Sequence, residues 1–254
     1  MFRSSIHAVI VSICTSALLA AHAQSTAPNP AVLSCAFEDG HHTKFHERTC
    51  PLEGETYKSL GMGASMSTFG SHLDLTRASY LDLPFPIGVC PSNGFVDFAD
   101  EYTDQQMIAL KTVIETDQYK SLLGKHTSWY LFAYVVEQTK FDGYDTWWLY
   151  NNAAAEAHNC GYEQEKQYLE TTRAQIDAAL TNISPDSEDQ PYWAMQLIAA
   201  NASRRLAEFD DTASRLGALA GVPDDWKEAF DTLETANDRQ LTRQVRIGET
   251  EFDE

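Results

Sequence analysis

The stretch YTDQQMIALKTVI, Tyr102–Ile114, divides the chain into two textures. Thr103 followed three residues later by Gln106 has the form of a capping box. The threonine side chain accepts from the first helical turn and the glutamine reaches back to the cap. Behind it, Met107, Leu110, Val113 and Ile114 return at helical spacing, so a helix starts here. The chain ahead of it reads differently. Residues 35–102 carry most of the glycines and several prolines, with short apolar runs such as IGVC and GFVDF. That composition predicts a compact, loop-rich unit with a few short strands.

Downstream, helical periodicity continues over residues 126–139, 144–158, 162–180, 191–206, 210–220 and 223–245. NISPDSEDQP, residues 182–191, interrupts it as an acidic, proline-flanked linker. Short connections predict antiparallel helix pairs, with 103–247 as the helical part and 248–254 as a frayed tail. YWAMQLIAANASRRLAEFDDTASRLGAL and NNAAAEAHNCGYEQEKQYLE each resemble a tetratricopeptide helix–turn–helix, in which small residues let two helices approach. Neither matches the full repeat, so the array is read as tetratricopeptide-like. The expected fold class is α+β, mainly α.

Residues 1–23 have a basic start, an apolar run over Ala8–Ala20 and the small-residue ending AHA, which predicts a secretory signal peptide cut after Ala23. Residues 24–34 read as a flexible leader. No apolar run approaches the ~20 residues a membrane span needs. The net charge of −19 argues against nucleic acid, whose phosphates need a basic footprint, and against an anionic lipid surface. The expected location is periplasmic or secreted. Beyond the cut stand Cys35, Cys50, Cys90 and Cys160. An even number in an exported chain favours disulfides, and spacing alone leaves all three pairings open.

Two short stretches, CPLEG (50–54) and CPSNG (90–94), are near-copies of one pattern. With these, CPLEGETYKSLGMGASMSTFGSHLDL, VCPSNGFVDFADEYT and the helices over 126–216, the chain resembles an uncharacterised bacterial family that joins a Cys-Pro-x-Cys-Gly zinc-knuckle part to tetratricopeptide-like helices. The family brings no assigned activity. Here Glu53 and Asn93 stand where each knuckle would have its second cysteine, a poor donor set for structural zinc. The resemblance implies a zinc-ribbon-like unit whose two knuckles meet, so that a Cys50–Cys90 disulfide replaces the metal. Cys35 with Cys160 then follows if all four cysteines pair.

His41, His42 and His46 in CAFEDGHHTKFHERTC are the strongest metal candidates, because a helix would set His42 and His46 on one face; zinc or copper would suit them. A polar surface loop between strands explains the same residues. There is no Gly-x-Ser-x-Gly and no phosphate loop. Asp97, Asp100 and Glu101 are read as helix-start charges. Trp129, Tyr134, Trp147, Trp148 and Trp193 are core residues or, where exposed, a partner-binding surface. The expected function is an exported, non-catalytic scaffold that binds a protein or peptide partner in the cell envelope, with no cofactor. The alternatives are a periplasmic metal-binding protein using the histidines and an envelope-acting hydrolase.

Overall fold

The capping box forms as its residues dictate. In the computed structural model the Gln106 N–H donates to Thr103 Oγ1 at 3.3 Å, and the Thr103 N–H donates to Gln106 Oε1 at 2.9 Å. The described residues are 32–33, 42–63, 67–81, 83–183 and 191–250. The signal peptide, Cys35 and His41 lie outside them. α1 (Asp104–Ile114) is followed by α2 (Asp117–Leu122), α3 (Ser128–Thr139), α4 (Thr146–Asn159), α5 (Glu165–Leu180), α6 (Tyr192–Arg205), α7 (Phe209–Gly217) and α8 (Asp224–Asp238). From α3 onward each helix packs on the next. Alanines make this possible: Ala153, Ala154 and Ala157 of α4 and Ala199, Ala200 and Ala202 of α6 are buried, so backbones approach closely. The short helix α2 has no periodicity to announce it. Thr116 Oγ1 caps it, and the buried Tyr119 hydroxyl donates to Gly94 O at 2.7 Å.

Helices α4, α6 and α8 end alike. A left-handed residue follows each (Gly161 φ 67°, Ala207 φ 63°, Gln240 φ 54°). The next N–H then reaches back five residues, Tyr162 to Ala157 O, Glu208 to Ser203 O and Leu241 to Ala236 O. This stops α8 at Asp238, short of the expected 245. The chain beyond doubles back, and Leu241, Val245 and Ile247 pack with Leu73, Trp193, Leu197 and α8. Gly248 and Glu249, in the tail expected to fray, are held: the Gly248 N–H donates to Thr232 Oγ1, and Glu249 pairs with Arg243 at 2.7 Å.

Ahead of α1 the described residues form three two-stranded antiparallel hairpins: β1 (Thr43–Thr49) with β2 (Thr56–Met62), β3 (Thr68–Ser71) with β4 (Arg77–Ser79), and β5 (Gly88–Val89) with β6 (Val96–Asp97). The two Cys-Pro stretches are the tips of the first and third. Each tip makes the same turn. The cysteine N–H donates to the carbonyl five residues on (Glu55 O or Phe95 O), and the glycine N–H donates back to the cysteine carbonyl. Gly54 at φ 72° and Gly94 at φ 73° supply the left-handed residue. A Cys50–Cys90 disulfide joins the tips with 5.7 Å between Cα atoms. Both cysteines are buried in the core shared with α1, α2 and α3. Cys160 is also disulfide-bonded; Cys35, with which the resemblance pairs it, lies outside the described residues. Val32 and Leu33, at the end of the expected flexible leader, are docked: the Leu33 N–H donates to His126 O at 3.0 Å. The fold class is α+β, mainly α.

Candidate functional site

The C-terminal end of α6 carries two consecutive arginines, Arg204 and Arg205, both buried. Arg205 sits between two carboxylates, 3.2 Å from Asp74 Oδ2 and 2.5 Å from Glu165 Oε1. Asp74 belongs to the turn between β3 and β4, and Glu165 opens α5. Further donors surround Asp74: the Thr76 N–H and hydroxyl, and Gln244 Nε2 at 2.9 Å. Asn151 of α4 holds the Asp74 carbonyl. Burial alone would raise the Glu165 carboxyl, but the His158 hydrogen bond and the Arg205 charge outweigh it and hold it below the usual carboxylate range. Arg204 has a different task. It donates to Asn201 Oδ1 and to the carbonyls of Leu241 and Arg243, fastening the returning tail to α6. Among the described residues, Arg205 is thus paired with two carboxylates, although its buried Nε has no hydrogen-bond partner, while Arg204, without a carboxylate partner, donates from all three of its nitrogens.

The residue after Asp74 in the same turn, Leu75, also lines a concavity. Leu75 (φ 60°) from the turn, Ser71 at the end of β3, Ile247 from the tail, and Asp225, Trp226, Glu228 and Ala229 of α8 line this open concavity of about 330 Å³. Leu75, Ile247, Ala229 and the Trp226 ring form its apolar part. The Asp225 and Glu228 carboxylates belong to one face of α8, three residues apart. Beside it on the same hairpin, Phe69 and Tyr80 are exposed (Tyr80 at 81%) and meet edge-to-face with ring centres 5.1 Å apart. The Arg246 guanidinium lies over the Phe69 ring at 5.7 Å.

The aromatics expected at a partner surface fall elsewhere. Tyr134, Trp147 and Trp193 are buried in the core, which removes them from any surface. Their helices are covered on several sides; α4 alone buries ten residues, so helical position does not reveal an exposed face. Trp129 is half-buried and donates from Nε1 to Phe85 O at 2.8 Å, and Trp148 lies half-buried against Trp147. The helical geometry assumed for His42 and His46 is also corrected. His46 is in strand β1 and His42 immediately precedes it, so extended backbone sets them roughly 13 Å apart. His41 lies outside the described residues. Asp97 is not a free helix-start charge: buried in β6, it accepts from the Tyr57 hydroxyl and pairs with Arg48 at 2.9 Å.

Among the described residues, one group of three side chains of metal-ligating type converges, Cys50, Cys90 and Glu55. The two sulfurs are spent on each other in the disulfide. The carboxylate beside them is Glu55, not Glu53; it accepts from the Ser92 N–H and hydroxyl, tying the two tips together a second time. A second unforeseen residue is Glu156, wholly buried in the alanine face of α4. It accepts from the Ser128 hydroxyl and the Trp129 N–H, capping α3 from a neighbouring helix. Burial pushes its carboxyl up to about 7 against those hydrogen bonds. The one sequence signal for these residues was charge inside Ala-rich helices, RR in ANASRRL and E in AAAEAH. Compared with family models, with curated proteins and with solved structures, the chain finds no match. The reading of this site therefore rests on its geometry.

Proposed function

We propose that the chain is an exported, non-catalytic binding protein that presents a rigid surface to a protein or peptide partner in the cell envelope. Its knuckle-derived hairpins and tetratricopeptide-like helices serve as the frame. The observation that carries this reading is the solvent-facing Phe69–Tyr80 pair beside Arg246, on the β3–β4 hairpin, whose turn is held at its other end by the Asp74–Arg205 pair. Aromatic residues and arginine are what protein interfaces concentrate at their centres. A locked turn loses little freedom on binding, which leaves more of the contact energy for affinity. The Cys50–Cys90 disulfide fits an oxidising compartment. No described helix is long and apolar enough to cross a membrane.

Site-specific photocrosslinking in cells that make the protein tests the reading. With Tyr80 replaced by benzoylphenylalanine, one discrete protein adduct is expected. The same group at Ile108, exposed on α1 (69%), is the control and should give none. The same adducts from both positions, or none from Tyr80, would overturn the proposal.

A further inference from the structure

We infer that the concavity between α8, the β3–β4 turn and the returning tail receives a lysine or arginine side chain of the partner; this rests on the binding reading above. Its volume, about 330 Å³, is at the bottom of the ~300–1,000 Å³ range of small-molecule pockets, a size for one long side chain. Its lining is divided as such a side chain is divided. Leu75, Ile247, Ala229 and the Trp226 ring suit an aliphatic stem, and the indole face also attracts a cation.

The charged end has its counterpart in Asp225 and Glu228. Neither carboxylate pairs with a cation among the described residues, whereas Asp224 next door is taken by Lys227 at 2.6 Å. The two carboxylates are exposed and unpaired at the rim, so they attract a cation from solvent while the apolar lining beside them holds its stem. Asp225 and Glu228 do not belong to a converging metal-ligand group, and a hydrated ion would gain nothing from the apolar lining. The net charge of −19 steers a basic partner toward the molecule, and Phe69, Tyr80 and Arg246 stand at the same hairpin and tail to meet the rest of it.

Fluorescence anisotropy with a fluorescein-labelled pentaarginine peptide and the full chain, at about physiological ionic strength, tests this. Binding is expected, with pentacitrulline at least tenfold weaker. Asp225→Asn with Glu228→Gln should weaken pentaarginine at least tenfold. Glu234→Gln with Asp238→Asn removes the same charge further along α8 and should cost less than twofold. Equal losses from the two pairs would reduce the effect to general acidity and overturn the site. Agmatine binding as tightly as the peptide would make the occupant a free amine and overturn its assignment to a protein. A Tyr80 crosslink that survives Asp225→Asn with Glu228→Gln would sink this inference while leaving the binding reading intact.

Discussion

The molecule holds its irregular segments in place by two opposite means. At the tips of the first and third hairpins the fastening is covalent, through Cys50 and Cys90. At the β3–β4 turn it is ionic, with Asp74 held by Arg205 across 131 residues of chain. A disulfide acts mainly by restricting the unfolded chain, and its loss leaves native packing little changed. A buried ion pair acts only in the folded state and carries a desolvation cost that its partner must offset. The ionic fastening is thus the more fragile one, since removing half of it leaves an uncompensated charge. It is also the one that carries the proposed binding surface.

The largest effect is expected at that pair. Arg205→Met leaves the Asp74 carboxylate, 1% exposed, with neutral donors alone, and should destabilise by about 3–5 kcal/mol in urea denaturation. Adding Asp74→Asn should cost less than the sum of the two single changes, because the pair is one unit. A loss under about 1 kcal/mol for Arg205→Met would mean that the turn is held by Gln244 and Asn151 instead, and the contrast with the disulfide would collapse. Removing the covalent fastening comes next. Cys50→Ala with Cys90→Ala opens a loop spanning 40 residues and should cost about 3–4 kcal/mol in the chain-entropy model. Because that loss arises in the unfolded chain, pentaarginine binding by the folded variant should be unchanged, whereas Arg205→Met should weaken it. Equal weakening by both would erase the distinction.

The covalent fastening was legible and the ionic one was not, for a physical reason. Cys-Pro-x-x-Gly is a local pattern, repeated, and it was the knuckle resemblance it carries, not cysteine spacing, that implied the Cys50–Cys90 pairing. The capping box at Thr103 is local in the same sense. The Asp74 network draws Arg205, Glu165, Gln244 and Asn151 from separate elements, and no spacing along the chain records that convergence. Faces were illegible too. A helix packed on several sides needs no clean polar stripe, so spacing could not say which of the aromatics were core and which exposed; Tyr134, Trp147 and Trp193 are buried. The histidines failed through the wrong period: a four-residue spacing clusters side chains on a helix and separates them on a strand.

Helix ends show the same divide at smaller scale. Gly161 announced the end of α4, while Ala207 and Gln240 take the same left-handed conformation after α6 and α8 without a glycine to signal it. An L-residue there costs roughly 1–2 kcal/mol, against roughly 0.5–1 for the extra freedom glycine loses on folding. Ala207 is exposed, so its methyl contributes no core packing. Ala207→Gly should therefore stabilise by about 0.5–1 kcal/mol, read as a raised denaturation midpoint. The residue stands two positions after Arg205, which gives the outcome a further use. If the glycine variant is less stable, stiffness at Ala207 is part of what aims Arg205 at Asp74. The ionic fastening would then depend on a strained turn as well as on charge. If it is more stable and pentaarginine binding is unchanged, α6 alone aims the arginine, and Ala207 carries strain the pair does not need.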